Sequence, residues 1–136
     1  MMLSNDLIES VKQHEGYREK AYQDSEGIWT IGYGTNLEVL EIDHETAEKW
    51  LLKELEWCAE QVNKIEGIGH INDARRDVLI EMAYNLGING LRKFRKTLNF
   101  IRAAAYEQAA AEMLDSRWAR QVGPRADRLS ERMRRG

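Results

Sequence analysis

Two carboxyl side chains near the start of the chain, Glu15 and Asp24, could act together in glycoside hydrolysis. That reaction uses one protonated carboxyl, which donates to the leaving oxygen, and one ionised carboxylate. Glu15 lies where a helical pattern ends, and both a helix C-terminus and burial disfavour its negative charge. Asp24 falls in a polar turn, where water keeps a carboxylate ionised. The pair therefore divides into an acid and an anion. A solvated Glu15 and an Asp24 that only shapes its turn fit the same pattern, since the chain has 23 acidic residues.

The first helix and a short sheet would position these two carboxyls. Ser4 is a typical N-cap, apolar residues then recur at helical spacing, and Gly16 is a typical stop. Residues 23–27 predict a hairpin turn. After it, bulky residues alternate with small ones, so Thr30 faces away from Trp29. A small antiparallel sheet is expected, and the small side chains on one of its faces would let another backbone or a ligand approach closely.

The rest of the chain predicts helices. Asp43 is a typical N-cap for a long helix, and further helices are expected at 72–86, 91–104, 106–120 and after Pro124. The expected fold is α+β and mostly helical, a single domain over residues 1–136. It would comprise a sheet lobe (about 15–45), a connecting helix (about 43–66) and a helical lobe (about 67–136 plus the N-terminal helix). A cleft between such lobes is the natural ligand site.

Composition excludes several classes of protein. No apolar run is long enough to span a membrane, and the first 15 residues lack the apolar core of a cleavable signal peptide. We therefore expect a protein held in the cytoplasm until it is exported. The single Cys58 excludes an internal disulfide and is expected to be a small buried apolar residue.

Charge is distributed unevenly along the chain. Residues 1–66 carry 15 acids and 6 bases, whereas residues 67–136 carry 8 acids and 14 bases. The last 21 residues alone hold seven arginines. Such an end predicts a polyanionic partner, either wall polymer or anionic envelope lipid, although a solvated helix face fits equally. The chain contains no nucleic-acid-binding motif, and no nucleic-acid partner is expected.

The segment from Glu15 to Gly34 resembles the catalytic segment of phage-type lysozymes (glycoside hydrolase family 24), the endolysins of T-even and many lambdoid phages. The family's triad, glutamate then eight residues, aspartate, five residues and threonine, falls on Glu15, Asp24 and Thr30. The following Gly-x-Gly is present as Gly32-Tyr33-Gly34. The resemblance implies a lysozyme-like fold and these three catalytic residues.

Two later segments extend the resemblance over nearly the whole chain. Residues 75–87 are similar to the family's central helix, which places Asn85 where an amide binds sugar; a turn role before Gly87 is the alternative. Phe94 matches an aromatic after the glycine-rich loop and is a second candidate for substrate binding. Residues 116–128 resemble the segment with a structural tryptophan, Trp118, and an arginine that faces the catalytic glutamate. That arginine is Arg125, for which a solvated position is about equally expected.

The sequence departs from the family pattern in two places. Thr35 stands where many relatives have histidine after Gly-x-Gly, and this predicts altered local stability or pH response rather than lost activity. Residues 36–43 form a shorter segment than in the T-even type, which predicts a smaller sheet lobe. The three other tryptophans are expected first as packing residues, although an exposed one could stack on a sugar: Trp29, Trp50 and Trp57.

The resemblance implies an endolysin that hydrolyses the β-1,4 bond between N-acetylmuramic acid and N-acetylglucosamine. In the inverting form of this reaction Glu15 protonates the glycosidic oxygen, while Asp24 and Thr30 hold a water on the opposite ring face. Host lysis would follow release through a holin-type pore. A monomer without a cofactor is expected, and the three histidines lack metal-ligand spacing. Two alternatives stay open: a non-catalytic peptidoglycan-binding module, which would not need the triad, and a lytic transglycosylase, which would not need Asp24 and Thr30.

Overall fold

The computed structural model describes residues 2–136, which form eight helices and three short strands. These residues divide into two compact units, the first ending at Thr46 and the second being Ala47–Gly136. This content confirms the predicted α+β, mostly helical class, while the predicted division into lobes stays a prediction. The elements are α1 (Asn5–Glu15), β1 (Arg18–Gln23), β2 (Trp29–Gly32), β3 (Thr35–Asn36), α2 (His44–Asn63), α3 (Asp73–Leu86), α4 (Ile88–Arg92), α5 (Arg95–Arg102), α6 (Tyr106–Leu114), α7 (Arg117–Val122) and α8 (Pro124–Arg135).

Helix α1 begins and ends at the residues that the sequence predicts. The Ser4 hydroxyl accepts a hydrogen bond from the Leu7 N–H at 3.1 Å, so one of the free donors of the first turn is satisfied. At the other end Gly16 adopts a φ of +72°, and its N–H donates to the Lys12 carbonyl. The helix therefore stops directly after Glu15.

The three strands form one antiparallel sheet in the order β1-β2-β3. Thr30 lies on the central strand, opposite Tyr22 on one side and Asn36 on the other. As predicted, Thr30 and Trp29 lie on opposite faces, but the buried face is that of Thr30, which is 4% exposed. Trp29 is 49% exposed, so its expected packing role is wrong.

Helix α2 starts after Asp43, whose carboxylate accepts the Thr46 N–H at 2.8 Å, and this confirms the predicted N-cap. Of its 20 residues only Cys58 and Val62 are buried. Trp50 and Trp57 are 54% and 49% exposed, against the expectation that they pack. The reason is that α2 contributes to a core only through its last two turns.

Two helices expected in the second unit are each broken once. The predicted 91–104 helix becomes α4 and α5, because Phe94 takes a non-helical ψ of +59°. The predicted 106–120 helix becomes α6 and α7, because the Ser116 hydroxyl accepts the Ala119 N–H and so starts a new helix. Pro124 occupies the first turn of α8, as predicted. The elements of this unit pack around a common core, whose largest fully buried side chains are Val62, Val78, Leu79, Met82, Leu91, Ile101, Met113 and Met133.

Candidate active site

The Glu15 carboxyl lies against the backbone of Gly34 within the first unit. A Cβ built on Gly34 would come within 2.7 Å of Glu15 Oε2 and 3.3 Å of its Cδ. Gly34 also has a φ of +86°, which disfavours any side chain. Gly34, the second glycine of Gly-x-Gly, is therefore required for two local reasons. Its positive φ disfavours a side chain, and the Glu15 carboxyl occupies the space that a side chain would need.

Asp24 shapes the turn between β1 and β2. Its Oδ1 accepts the Glu26 N–H at 2.8 Å and the Ile28 N–H at 2.9 Å. The Asp24 N–H in turn donates to the Ile28 carbonyl at 2.9 Å. Asp24 therefore does shape its turn, which is the alternative role that the sequence left open. The turn uses only Oδ1 of the Asp24 carboxylate, since Oδ2 forms no hydrogen bond with any of residues 2–136. The second oxygen is left for a ligand or a water.

Thr30 is joined to Asp24 through a single carbonyl group. The Thr30 hydroxyl donates to the Ile28 carbonyl at 2.9 Å, the same oxygen that accepts the Asp24 N–H. Because its proton is used in this way, the hydroxyl oxygen can only accept from a further partner. The structure therefore brings Asp24 and Thr30 together and orients both side chains. Sequence reasoning missed Ile28, because its contribution comes from its main chain and a side-chain motif carries no signal of that.

Asn85 and Phe94 are brought together by Trp118 in the second unit. The Trp118 indole N–H donates to Asn85 Oδ1 at 2.8 Å, and the exposed Asn85 keeps its amide N–H₂ free. The half-buried Phe94 ring meets the Trp118 ring edge to face, with centroids 6.0 Å apart. Trp118 is 4% exposed, which confirms its expected core position. Asn85 therefore has a structural partner and still presents two hydrogen-bond donors.

Arg125 donates from Nε to Glu81 Oε2 at 2.8 Å, within the helical unit. The two side chains are 33% and 46% exposed. An exposed ion pair of this kind contributes about 0–1 kcal/mol. The sequence offered no signal for Glu81 as its partner, because the two residues lie 44 positions apart on α3 and α8. The predicted support of Glu15 by Arg125 stays a prediction.

No group of three or more His, Cys, Asp or Glu side chains among residues 2–136 could hold a metal ion. Burial, and less strongly the charge of Glu54, raises the pKa of the Cys58 thiol, which is therefore protonated at neutral pH. No helix of the described chain has the length and apolar character needed to cross a membrane.

Comparison with known proteins adds an independent observation. Residues 12–135 match the family model described as phage lysozyme. The chain is 28% identical over 142 residues to "Peptidoglycan hydrolase gp36" of Pseudomonas phage phiKMV, covering 97% of this chain but only 16% of that protein. It is 22% identical to "Probable T4-type lysozyme 1" of Dictyostelium discoideum over 90% of both chains. It is 30% identical to "Endolysin" of Salmonella phage P22 over 64% of each.

Proposed function

Because the chain belongs to the phage lysozyme family, we propose that it is a glycoside hydrolase that cuts bacterial peptidoglycan. The bond cut is the β-1,4 linkage between N-acetylmuramic acid and N-acetylglucosamine. The observation that carries this proposal is the network in which the Ile28 carbonyl joins Asp24 to Thr30. A non-catalytic binding module would have no need of Glu15, Asp24 and Thr30 together.

In the proposed reaction Glu15 donates its proton to the glycosidic oxygen as the bond from that oxygen to the anomeric carbon breaks. A water donates one hydrogen bond to Asp24 Oδ2 and another to Thr30 Oγ1. Both acceptors are available because Oδ2 has no partner among residues 2–136 and the Thr30 proton is used on Ile28. The water's lone pair then attacks the anomeric carbon from the opposite face, and Asp24 takes its proton. This is the inverting course, for which the two carboxyls stand about 6.5–9.5 Å apart.

Asn85 and Phe94 are the proposed sugar-binding residues. The Asn85 amide has its oxygen fixed by Trp118, so its N–H₂ group is oriented to donate to a sugar hydroxyl or acetamido oxygen. Phe94 offers the apolar edge that a sugar ring packs on. From the resemblance of residues 116–128 to the family, we also propose that Arg125 supports Glu15.

For biological context, we propose that the chain stays in the host cytoplasm until a holin-type pore releases it to the wall.

We also propose that the arginine-rich end is attracted to anionic lipid. Fewer of its arginines carry unpaired charge than the composition implies. Four of the seven arginines form ion pairs, namely Arg125, Arg132, Arg134 and Arg135. Binding to anionic vesicles that ignores added salt would contradict this part of the proposal.

The configuration of the first product tests the inverting reaction. Digestion of glycan strands followed at once by NMR should show the α anomer at the new reducing end. A β anomer would contradict the inverting course.

Glu15→Gln should reduce turnover by several orders of magnitude with an unchanged circular dichroism spectrum, because the amide cannot donate the required proton. Near-normal activity of that variant on cell walls would remove Glu15 as the acid.

A further inference from the structure

Two exposed tyrosines, Tyr17 and Tyr33, lie next to the proposed acid in the first unit. Tyr17 follows Glu15 by two residues, and Tyr33 directly precedes Gly34, against whose backbone the Glu15 carboxyl lies. The two rings contact each other, with centroids 5.4 Å apart and planes inclined by 42°. The aromatic pair is therefore anchored to the chain on both sides of the contact between Glu15 and Gly34.

Both tyrosine rings are open to solvent. Tyr17 is 64% exposed and Tyr33 is 43% exposed. Neither phenol hydroxyl forms a hydrogen bond with any of residues 2–136. The pair thus presents aromatic surface and two hydrogen-bonding groups that the described chain does not use.

The Tyr33 ring is supported from the side of α1. The Lys12 ammonium lies 5.7 Å from the ring centroid, which is a cation–π distance. The ring also lines a groove of about 330 Å³, together with Leu3, Leu7, Ile8, Val11 and Lys12. A ring held in this way has little freedom left to lose when a ligand packs on it.

A pyranose ring suits an exposed tyrosine pair next to a carboxyl. The faces of a β-linked pyranose carry C–H bonds that pack on an aromatic ring, while its hydroxyl and acetamido groups lie at the edge and can hydrogen-bond with phenol groups. A lipid or an apolar protein surface would instead leave the Glu15 carboxyl and both phenol hydroxyls facing an apolar partner, which is costly. The sugar satisfies the apolar faces and the polar groups together.

We propose that Tyr17 and Tyr33 form a stacking site for an N-acetylglucosamine ring of the glycan strand, an inference that rests on the proposed function. The acid protonates the oxygen that leaves with N-acetylglucosamine. Residues that flank the acid therefore meet this leaving sugar rather than the muramic acid whose anomeric carbon is attacked. The tyrosines add binding energy on the leaving-group side and take no part in proton transfer.

Tyr17→Ala, Tyr17→Phe and the control Leu52→Ala test the stacking role by steady-state kinetics on glycan strands. Tyr17 and Leu52 are 64% and 53% exposed, so neither truncation opens the protein interior. Tyr17→Ala should raise KM on the order of tenfold and change kcat by less than about twofold, because a contact made equally in the ground state and the transition state affects KM alone. Tyr17→Phe keeps the ring and should hold KM within about twofold of wild type. Leu52→Ala should change neither constant.

Binding of the N-acetylglucosamine tetramer to Glu15→Gln protein tests the occupant directly. With ¹³C-labelled tyrosine rings, the NMR signals of Tyr17 and Tyr33 should shift during the titration, each being identified by its loss in the Tyr→Phe variant. The signal of Tyr106 should stay in place, because its ring lies under the Arg75 guanidinium in the helical unit.

Three results would each overturn the proposal: unmoved Tyr17 and Tyr33 signals, an unchanged KM in Tyr17→Ala, or the same rise in KM in Leu52→Ala. So would a concentration-dependent dimer that Tyr17→Ala abolishes, because it would assign the aromatic pair to a second copy of the chain. Hydrolysis of cell walls by the wild-type protein keeps these tests separate. A wild-type protein that cuts no cell wall would instead refute the proposed function.

Discussion

The Ile28 carbonyl oxygen shows how a main-chain atom can fix two side chains at once. It accepts from the Asp24 N–H and from the Thr30 hydroxyl, both at 2.9 Å. Because the Thr30 hydroxyl donates its proton to this carbonyl, its oxygen is left as an acceptor. The type and spacing of Asp24 and Thr30 were predictable from the sequence, but the group that joins them was not.

Replacing Thr30 separates its two roles. Thr30→Val keeps the shape of a side chain that is 4% exposed but removes the hydroxyl, leaving the Ile28 carbonyl one partner short. We expect a stability loss of about 1 kcal/mol and a fall in kcat on the order of 10²-fold. Thr30→Ser keeps the hydroxyl and should retain most of the activity. Steady-state assays on cell walls and thermal unfolding measure the two effects, and equal kcat for both variants would refute the water-holding role.

Gly34→Ala should damage activity more than stability. The new methyl group would lie 2.7 Å from Glu15 Oε2, so the carboxyl must move. Gly123→Ala is the matched control, because Gly123 also has a positive φ, +61°, but its added Cβ meets nothing within 4 Å. Each variant should lose about 1–3 kcal/mol through backbone strain. Only Gly34→Ala should lose more than about tenfold in kcat. Equal kcat in the two variants would show that Glu15 does not depend on this space.

Among the secondary-structure elements, those with local start and stop signals were predicted well. Ser4, Asp43 and Pro124 act on backbone groups within four residues of themselves, so their role can be inferred from neighbouring sequence. The break at Phe94 is different, because its ring packs on Trp118, which is distant in the chain. Ser116 was a local signal that was overlooked, since the apolar spacing continues through it.

The N-cap of α2 should make stability depend on pH. The hydrogen bonds from Thr46 hold the pKa of the Asp43 carboxyl below its usual range. A group with a lowered folded-state pKa contributes stability above its unfolded-state pKa, and that contribution disappears as pH falls through the folded-state pKa. Below about pH 4, acid should therefore weaken the start of α2.

Asp43→Asn provides the test, because asparagine caps a helix without titrating. The variant should match wild type in Tm at pH 7 and lose less Tm than wild type between about pH 5 and pH 2. Parallel pH profiles for the two proteins would contradict a role of the Asp43 charge.

Over the molecule as a whole, the uneven distribution of charge was visible in the sequence, but the pairing of the charges was not. Acids from α3 and α6 reach the arginines of α8, as in the pairs Arg132–Asp77 and Arg134–Glu107. Only the fold brings these residues together. The sequence alone therefore overstated the free charge of the C-terminal end, where Arg117, Arg120 and Arg128 are the arginines that form no ion pair with residues 2–136.

Cys58 offers a probe of unfolding. Its thiol is 2% exposed, and burial raises its pKa, so the reactive thiolate is scarce in the native protein. At pH 8 a thiol reagent should label Cys58 only as fast as the core opens, and labelling should accelerate steeply in denaturant. Rapid labelling without denaturant would contradict the buried position.

The most direct test of hydrolysis by Glu15, Asp24 and Thr30 is mass analysis of the muropeptides released from purified cell walls. Addition of water gives products with a reducing muramic acid, whereas transglycosylation gives anhydro products lighter by one water. We predict reducing products from wild type and none from Glu15→Gln. Anhydro ends from the wild-type protein would contradict the assignment of Asp24 and Thr30 to a water.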